Sequence, residues 1–429
     1  MYNKIAVLFV SIASSFVTSS PVSPSSYLST ITSTPYRGIN LGGWLVLESW
    51  ITTTLYANNQ VPDGDGEWQF CSIVGTPQDC CNVLIPHWDT WVNESDIQLL
   101  ANTGITHVRI PIGYWLLGNL ETNEPYCSGP QIYYLQRVIT WLQKYQLKAI
   151  IDLHGAPGSQ NGNDNSGKSG GTIDWNTPKN ENRTTQYLIQ LSTLLNSWEL
   201  NSTLSNVIIG IELLNEPKTT VLGGPIQISD LANWYTTTIT QLQDPTIGNW
   251  TRLIMLSDGW NIEYSTWQTI NQQFSNIVYD SHLYYAFGGP TSNLSPWGVI
   301  NYVCNIQLPN LQSIIKTTGL NIIVGEYSLA VDNKITPNYP YNNNDINFYY
   351  TFGIAQMQAY GSILSSASSL SSSTGQLLGS FYWCHRVESY QEWNYIRGIE
   401  ENYISNNLTL TNISPSTYLC NAPDTVNDL

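Results

Sequence analysis

In a chain of 429 residues, only 11% are Asp, Glu, Lys or Arg, against roughly 25% in ordinary soluble proteins. The 31 acids outweigh 15 bases for a net charge of -16, a field that repels phosphate polyanions and excludes nucleic acid as an expected partner. Aromatics reach 12%, with 16 Trp and 27 Tyr, which suits stacking on the C–H faces of neutral sugars but equally suits a large core.

At the N-terminus, Lys4 precedes an apolar run from Ile5 to Val10 and then small residues through Ser20. This reads as a cleavable signal peptide over residues 1–20, too short to span a membrane. Residues 21–35 are Ser/Thr/Pro-rich and are expected to form a loose leader. No later run is long and apolar enough for a transmembrane helix, and the polar C-terminus lacks a lipid-anchor tail. A secreted protein of the extracellular space or cell wall, without a membrane anchor, is expected. Sequons at Asn93, Asn182, Asn201, Asn249, Asn293, Asn407 and Asn412 agree with that route.

Strand-like runs then recur at residues 38–41, 107–111, 149–154, 207–212, 253–257, 277–282, 322–326 and 379–383. Helix-like intervals fall at 95–102, 132–145, 185–198, 228–242 and 345–360, with the weakest helical pattern between the fifth and sixth strands. Eight apolar strands alternating with helices predict an α/β fold, a single (β/α)8 barrel over residues 36–429. An open doubly wound sheet is the alternative, but the first strand has no Gly-rich phosphate turn after it. Two inserts, 56–86 after the first strand and 155–171 after the third, follow strand C-termini and are expected to rim a pocket. The serine run 365–373 reads as a surface connection.

Seven cysteines leave at least one unpaired in an oxidising compartment. Cys384, placed within the eighth strand, is expected to be free. Cys304–Cys420 is the expected pair tying the C-terminal tail to the loop after strand six. Connectivity among Cys71, Cys80, Cys81 and Cys127 stays open, and their spacing does not match a structural zinc site.

The chemistry gathers at two segments. Ile208-Ile209-Gly210-Ile211-Glu212-Leu213-Leu214-Asn215-Glu216-Pro217 and Ile322-Ile323-Val324-Gly325-Glu326-Tyr327-Ser328 each read as a buried parallel strand delivering a glutamate to the barrel's C-terminal face. An Asn-Glu-Pro triplet alone occurs in many turns. An unpaired carboxylate at a buried strand end is costly, however, and two of them in one pocket are what glycosidic cleavage needs. Arg109, His154 and His282 also close predicted strands. Each alone is commonly a satisfied structural group; three of them around two carboxylates fit a site. A zinc set of His154, His282 and Glu326 is the competing reading, but no ligand pair has i, i+4 spacing, so no metal is expected.

These segments resemble the fungal exo-beta-1,3-glucanases of glycoside hydrolase family 5. The resemblance runs from about Tyr36 to Cys420. It is carried by Arg37-Gly38-Ile39-Asn40-Leu41-Gly42-Gly43-Trp44, Val108-Arg109-Ile110-Pro111, Asp152-Leu153-His154-Gly155-Ala156-Pro157-Gly158, Asn215-Glu216-Pro217, His282-x-Tyr284 and Gly325-Glu326-Tyr327-Ser328, in that order. The resemblance implies a retaining mechanism without a cofactor. Glu216 would be the general acid/base, with its pKa raised, and Glu326 the ionised nucleophile, bonded by Arg109 and Tyr284. The carboxyls would lie about 5–5.5 Å apart. Asn215 would bond the sugar 2-hydroxyl, and His154 and His282 would orient the sugar and the acid/base. Glu48, Asp164 and Asn165 would bind substrate, with Trp383 as the platform beneath the terminal glucose. Phe287 would be one ring of an entrance clamp.

Two positions depart from the pattern. Asn163 stands where the family has the other clamp phenylalanine, a loss worth up to roughly a few kcal/mol at the leaving-glucan subsite, and weaker transglycosylation is expected. His385 replaces a tryptophan after Trp383. Both changes bear on the preferred aglycone. The expected function is release of glucose from non-reducing ends of beta-1,3-glucan, by a monomer, in cell-wall glucan metabolism. The alternatives are a related beta-glucosidase or beta-1,6-glucanase, a transglycosylating wall remodeller, and a glucan-binding protein without turnover.

Overall fold

The computed structural model describes residues 35–201, 204–332, 334–363, 375–406 and 420. The signal peptide, the leader up to residue 34, the serine run and the sequons Asn407 and Asn412 lie outside the described residues.

Strands β1 (Tyr36–Asn40), β2 (His107–Gly113), β3 (Lys148–Gly155), β4 (Ile208–Glu212), β5 (Leu253–Ser257), β6 (Ile277–His282), β7 (Ile322–Tyr327) and β8 (Leu377–Tyr382) pair in sequence order. All eight pairings are parallel, and β8 closes on β1. This is the predicted (β/α)8 barrel. The strands read as apolar runs because both their faces are covered, by the helices outside and by the barrel's own filling inside. Tyr36, Ile150, Met255, Val278, Ile323 and Phe381 belong to a separate buried apolar cluster that fills one end of the interior.

Two irregularities in this frame position the chemistry. Ala149 pairs with Ile208 but Ile150 with Gly210, so β4 holds one extra residue, Ile209. Asp280 pairs with Ile323 but His282 with Glu326, so β7 also holds one extra residue. A regular strand sends residues three apart to opposite faces; a bulge re-aims the side chains beyond it. Ile209 therefore joins the interior cluster while Glu212 still reaches Arg109, and Ile323 and Glu326 are related in the same way.

The first insert is mostly helical where a loop was expected. It forms α1 (Thr53–Asn58), α2 (Glu67–Val74) and α3 (Pro77–Trp91). Thr76 and Asp79 make a reciprocal capping box with Pro77 in the first turn, a local start signal that outweighs Pro86 inside the same helix. The insert packs on the loop after β3: Trp68 N–H donates to the Gly167 carbonyl at 2.7 Å and the Gln69 side chain to the Ser169 carbonyl at 2.7 Å. The two inserts thus brace one another at the barrel's C-terminal face. The weakly patterned interval between β5 and β6 holds a short helix, Thr266–Gln273.

Disulfides join Cys71 to Cys80, Cys81 to Cys127 and Cys304 to Cys420, leaving Cys384 free and buried. Cys384 lies two residues beyond β8 rather than within it. Non-reducing peptide mapping is expected to return these three pairs, with Cys384 alkylated only after unfolding. Recovery of Cys384 in a disulfide would refute the assignment.

Candidate active site

Arg109 organises the barrel's upper interior. It is fully buried on β2. Its Nε donates to Glu212 Oε2 at 2.7 Å, its Nη1 to Asn40 Oδ1 and Glu326 Oε1 at 3.0 Å each, and its Nη2 to Asn215 Oδ1 at 2.8 Å. Asp152 and Asp280 complete the ring at 3.1 and 3.9 Å from Nη2. One guanidinium cannot neutralise four carboxylates. Burial pushes Glu212 well above the usual carboxylate range against the pull of Arg109. Sequence reasoning missed Asp152, Glu212 and Asp280. The available signal was an acid inside a buried apolar run, in two cases two residues before a strand-end histidine.

Glu326 lies one residue before the end of β7, at the C-terminal face as expected. Its Oε1 accepts from Arg109 and its Oε2 from the Tyr284 hydroxyl at 2.6 Å. Glu216 does not close a strand. β4 ends at Glu212, and Glu216 lies in the following turn with φ +44°, an uncommon backbone for a residue with a side chain. Its neighbour Asn215 is tied down on three sides. Asn215 N–H donates to the Leu153 carbonyl, Gln160 donates to the Asn215 carbonyl at 2.9 Å, and Arg109 holds the side chain. Glu216 Oε1 meets His282 Nδ1 at 2.7 Å, and its Oε2 accepts from Asn165 at 2.9 Å. One oxygen each of Glu216 and Glu326 and a ring nitrogen of His282 lie within 4.8 Å of one another.

The electrostatics of the three groups are linked. Burial works against charge on His282, but Glu326, Asp280 and Glu216 around it hold its pKa well above the ordinary value. Burial pushes Glu216 up, yet the hydrogen bond and charge of His282 outweigh that and leave its carboxyl below the usual range. Burial leaves Glu326 raised despite His282 and Arg109. Glu216 was expected to be raised and Glu326 to be held in its charged form by Arg109 and Tyr284; in the free site the directions of both shifts run the other way. The two shifts run in opposite directions across one hydrogen bond, so the His282–Glu216 pair acts as a unit in holding a proton. The zinc set also changes: His154 turns its Nδ1 to Asp152 at 2.7 Å, and Glu216 takes its place in the cluster.

Above these groups opens a cavity of about 1000 Å³. Glu48, His154, Asp164, Asn165, Glu216, His282, Tyr284, Phe287, Glu326 and Trp383 line it, while Arg109 and Asn215 lie beneath. Trp383 stacks on His154 with centroids 5.2 Å apart and 11° between planes. Glu48 Oε2 accepts from Trp50 Nε1 at 3.1 Å. Burial, then the charge of Asp164, hold the Glu48 carboxyl well above its usual range, and burial pushes Asp164 up to about 6. Phe287 stands at the rim, 76% exposed, and Asn163 lines the cavity where the second clamp ring was expected. His385 does not line it. That ring is buried with its edge toward Trp91, so this departure faces the core and does not bear on the aglycone. Trp50, Trp260 and Trp393 also line the wall; the first two lie in turns and the third in a three-residue 3-10 helix, so none carried a periodic signal.

The model of the cellulase family, glycosyl hydrolase family 5, matches residues 76–359. The chain belongs to glycosyl hydrolase family 5. Over 295 residues it is 35% identical to "Probable glucan 1,3-beta-glucosidase A" of Aspergillus niger, covering 69% of this chain and 65% of that one. Over 392 residues it is 31% identical to "Glucan 1,3-beta-glucosidase" of Pichia angusta, covering 84% and 83%. The chain thus spans about 65% of the length of the Aspergillus relatives it matches. Among solved structures, the rutinosidase of Aspergillus niger superposes with a TM-score of 0.69 at 22% identity, covering 87% of this chain and 98% of that one. That likeness concerns the fold.

Proposed function

We propose that this family 5 member is a retaining glucan 1,3-beta-glucosidase that releases glucose from the non-reducing ends of beta-1,3-glucan. The observation that carries the mechanism is the approach of Glu216 and Glu326 oxygens to within 4.8 Å. So close an approach of single oxygens favours the roughly 5–5.5 Å carboxyl separation of double displacement over the wider gap, about 6.5–9.5 Å, that accommodates a water between carboxylates. The names of the Aspergillus and Pichia relatives support the linkage.

In this reading Glu326 attacks C1 while Arg109 and Tyr284 aim its two oxygens. The proton shared by His282 and Glu216 passes through Glu216 Oε to the leaving oxygen as the C1–O bond breaks. Glu216 then takes a proton from water, which displaces Glu326 at C1, and the configuration is restored. Asn215 is poised for the 2-hydroxyl, Trp383 is the platform under the terminal glucose, and Glu48, Asp164, Asn165 and His154 bond its hydroxyls. The paired inserts would block one end of the cavity and so favour exo action. Passage through the secretory route, to the wall or medium, is supported by the disulfides and sequons. No helix among the described residues is long and apolar enough to cross a membrane. The chain would act as a monomer on a polysaccharide or oligosaccharide.

The test is proton NMR of laminari-oligosaccharides with purified protein, reading the first anomer released. Beta-glucose appearing first, from the non-reducing end, is expected. Alpha-glucose first would overturn double displacement. Asn163 at the entrance favours a second reading, a beta-glucosidase or beta-1,6-glucanase with a different leaving group. Silence on laminari-oligosaccharides with turnover of gentiobiose would select it.

A further inference from the structure

The proposed mechanism uses Glu216, Glu326 and the hydrogen bonds on them. It leaves unexplained why a buried aspartate sits under His282. Asp280 is buried on β6, two residues before His282, on the same face. Its Oδ2 meets His282 Nε2 at 3.1 Å, and its Oδ1 accepts the Gly325 N–H at 2.6 Å. Gly325 has no room for a side chain, since a Cβ there would lie 2.1 Å from Asp280 Oδ2. The aspartate is therefore clamped between β6 and β7, directly beside the residue that precedes Glu326. The far side of the imidazole points at Glu216 Oε1.

We infer that Asp280 is a positioning residue that acts through His282, fixing the ring with Nδ1 toward Glu216 and setting how firmly the His282–Glu216 pair holds the proton that the leaving oxygen takes. The inference rests on the acid/base role proposed for Glu216. The balance is simple. One labile proton resides on the Nδ1–Oε1 hydrogen bond, goes to the leaving oxygen in the first step and is returned by water in the second. Asp280 stays ionised throughout. Other groups face the same ring: Glu216 from the turn after β4, Glu326 from β7 at 3.4 Å, and Asp258 after β5, which reaches it through Ser281. Arg109 from β2 lies behind Asp280, 3.9 Å from Oδ2, and offsets part of its charge. His154 on β3 also has an aspartate, Asp152, but it meets Nδ1 rather than Nε2, and of the two histidines only His282 hydrogen-bonds Glu216.

Asp280→Asn separates charge from shape. The new side chain can still accept from Gly325 and can donate to Nε2, which keeps a proton on Nδ1 facing Glu216. Without the anion the pair loses its proton at lower pH. The alkaline limb of kcat/KM on laminaritriose is therefore expected to move down by about one pH unit or more, with kcat falling more than KM rises. In parallel, 15N-histidine NMR of the unmodified protein, with the His282 signal assigned by its loss in His282→Gln, is expected to show His282 still protonated at pH 7.5. Titration of His282 near its ordinary value in the unmodified protein would overturn the inference, whether or not the variant folds. So would a limb that stays put in a folded Asp280→Asn variant. If laminari-oligosaccharides are not cleaved while His282 titrates high, the substrate reading has failed and the Asp280–His282 linkage has not.

Discussion

Glu326→Ala is expected to lower kcat on laminari-oligosaccharides by on the order of 10^5-fold, the scale on which loss of a covalent nucleophile acts in other hydrolases. Binding of laminaritriose, read by calorimetry, should survive, because Glu48, Trp383 and the rest of the wall are untouched. The vacated space lies on the face of C1 opposite the leaving group. With an aryl beta-glucoside, azide entering there gives the alpha-glycosyl azide. In Glu216→Ala, azide instead attacks the glycosyl–Glu326 ester and gives the beta-glycosyl azide. The two products assign nucleophile and acid/base independently of rate. Retention of near-normal turnover by Glu326→Ala would end the double-displacement reading.

Arg109→Met is expected to cost about 3–5 kcal/mol of stability near neutral pH, the usual consequence of removing one partner from a buried ionic network. Asp152 and Glu326 lose their only close guanidinium, and nothing else among the described groups around them carries the same fixed charge. The Glu326 carboxyl, already raised by burial, then rises further without Arg109. A carboxyl raised on folding favours the folded state below its unfolded pKa, and that contribution is lost as pH rises through the folded pKa. The deficit should therefore be largest at pH 7 and narrow as pH falls toward 4.5. Urea midpoints at the two pH values measure it. A deficit independent of pH would mean that Arg109 acts through packing and not through charge.

Much of the fold was legible because a strand covered on both faces has to be apolar throughout, and the 5-residue run Leu253–Ser257 and the 6-residue run Ile277–His282 were bounded correctly for that reason. The helical first insert was hidden because its cysteines and Pro86 masked a helix whose start is local but whose stability is tertiary, held by two disulfides and by the loop after β3. The free Cys384 was anticipated correctly, although for a slightly wrong reason, since it lies past the strand. His385 could be seen as a departure but not located, because the residue after a strand end can face either the cavity or the core, and here it faces Trp91.

By itself the sequence determined the barrel, the two glutamates, the arginine and the histidines, because apolar continuity and the cost of an uncompensated charge are properties of single strands. It could not place Glu216 in a left-handed turn beyond the strand, nor show that extra residues in β4 and β7 turn Glu212 and Glu326 toward one guanidinium. It also could not show that His282 and Glu216 share one hydrogen bond. Which group holds a proton depends on all charges within a few ångströms, and Asp280, Glu216 and Glu326 reach His282 from three different stretches of chain. Register and electrostatics are sums over neighbours that only closure of the barrel brings together.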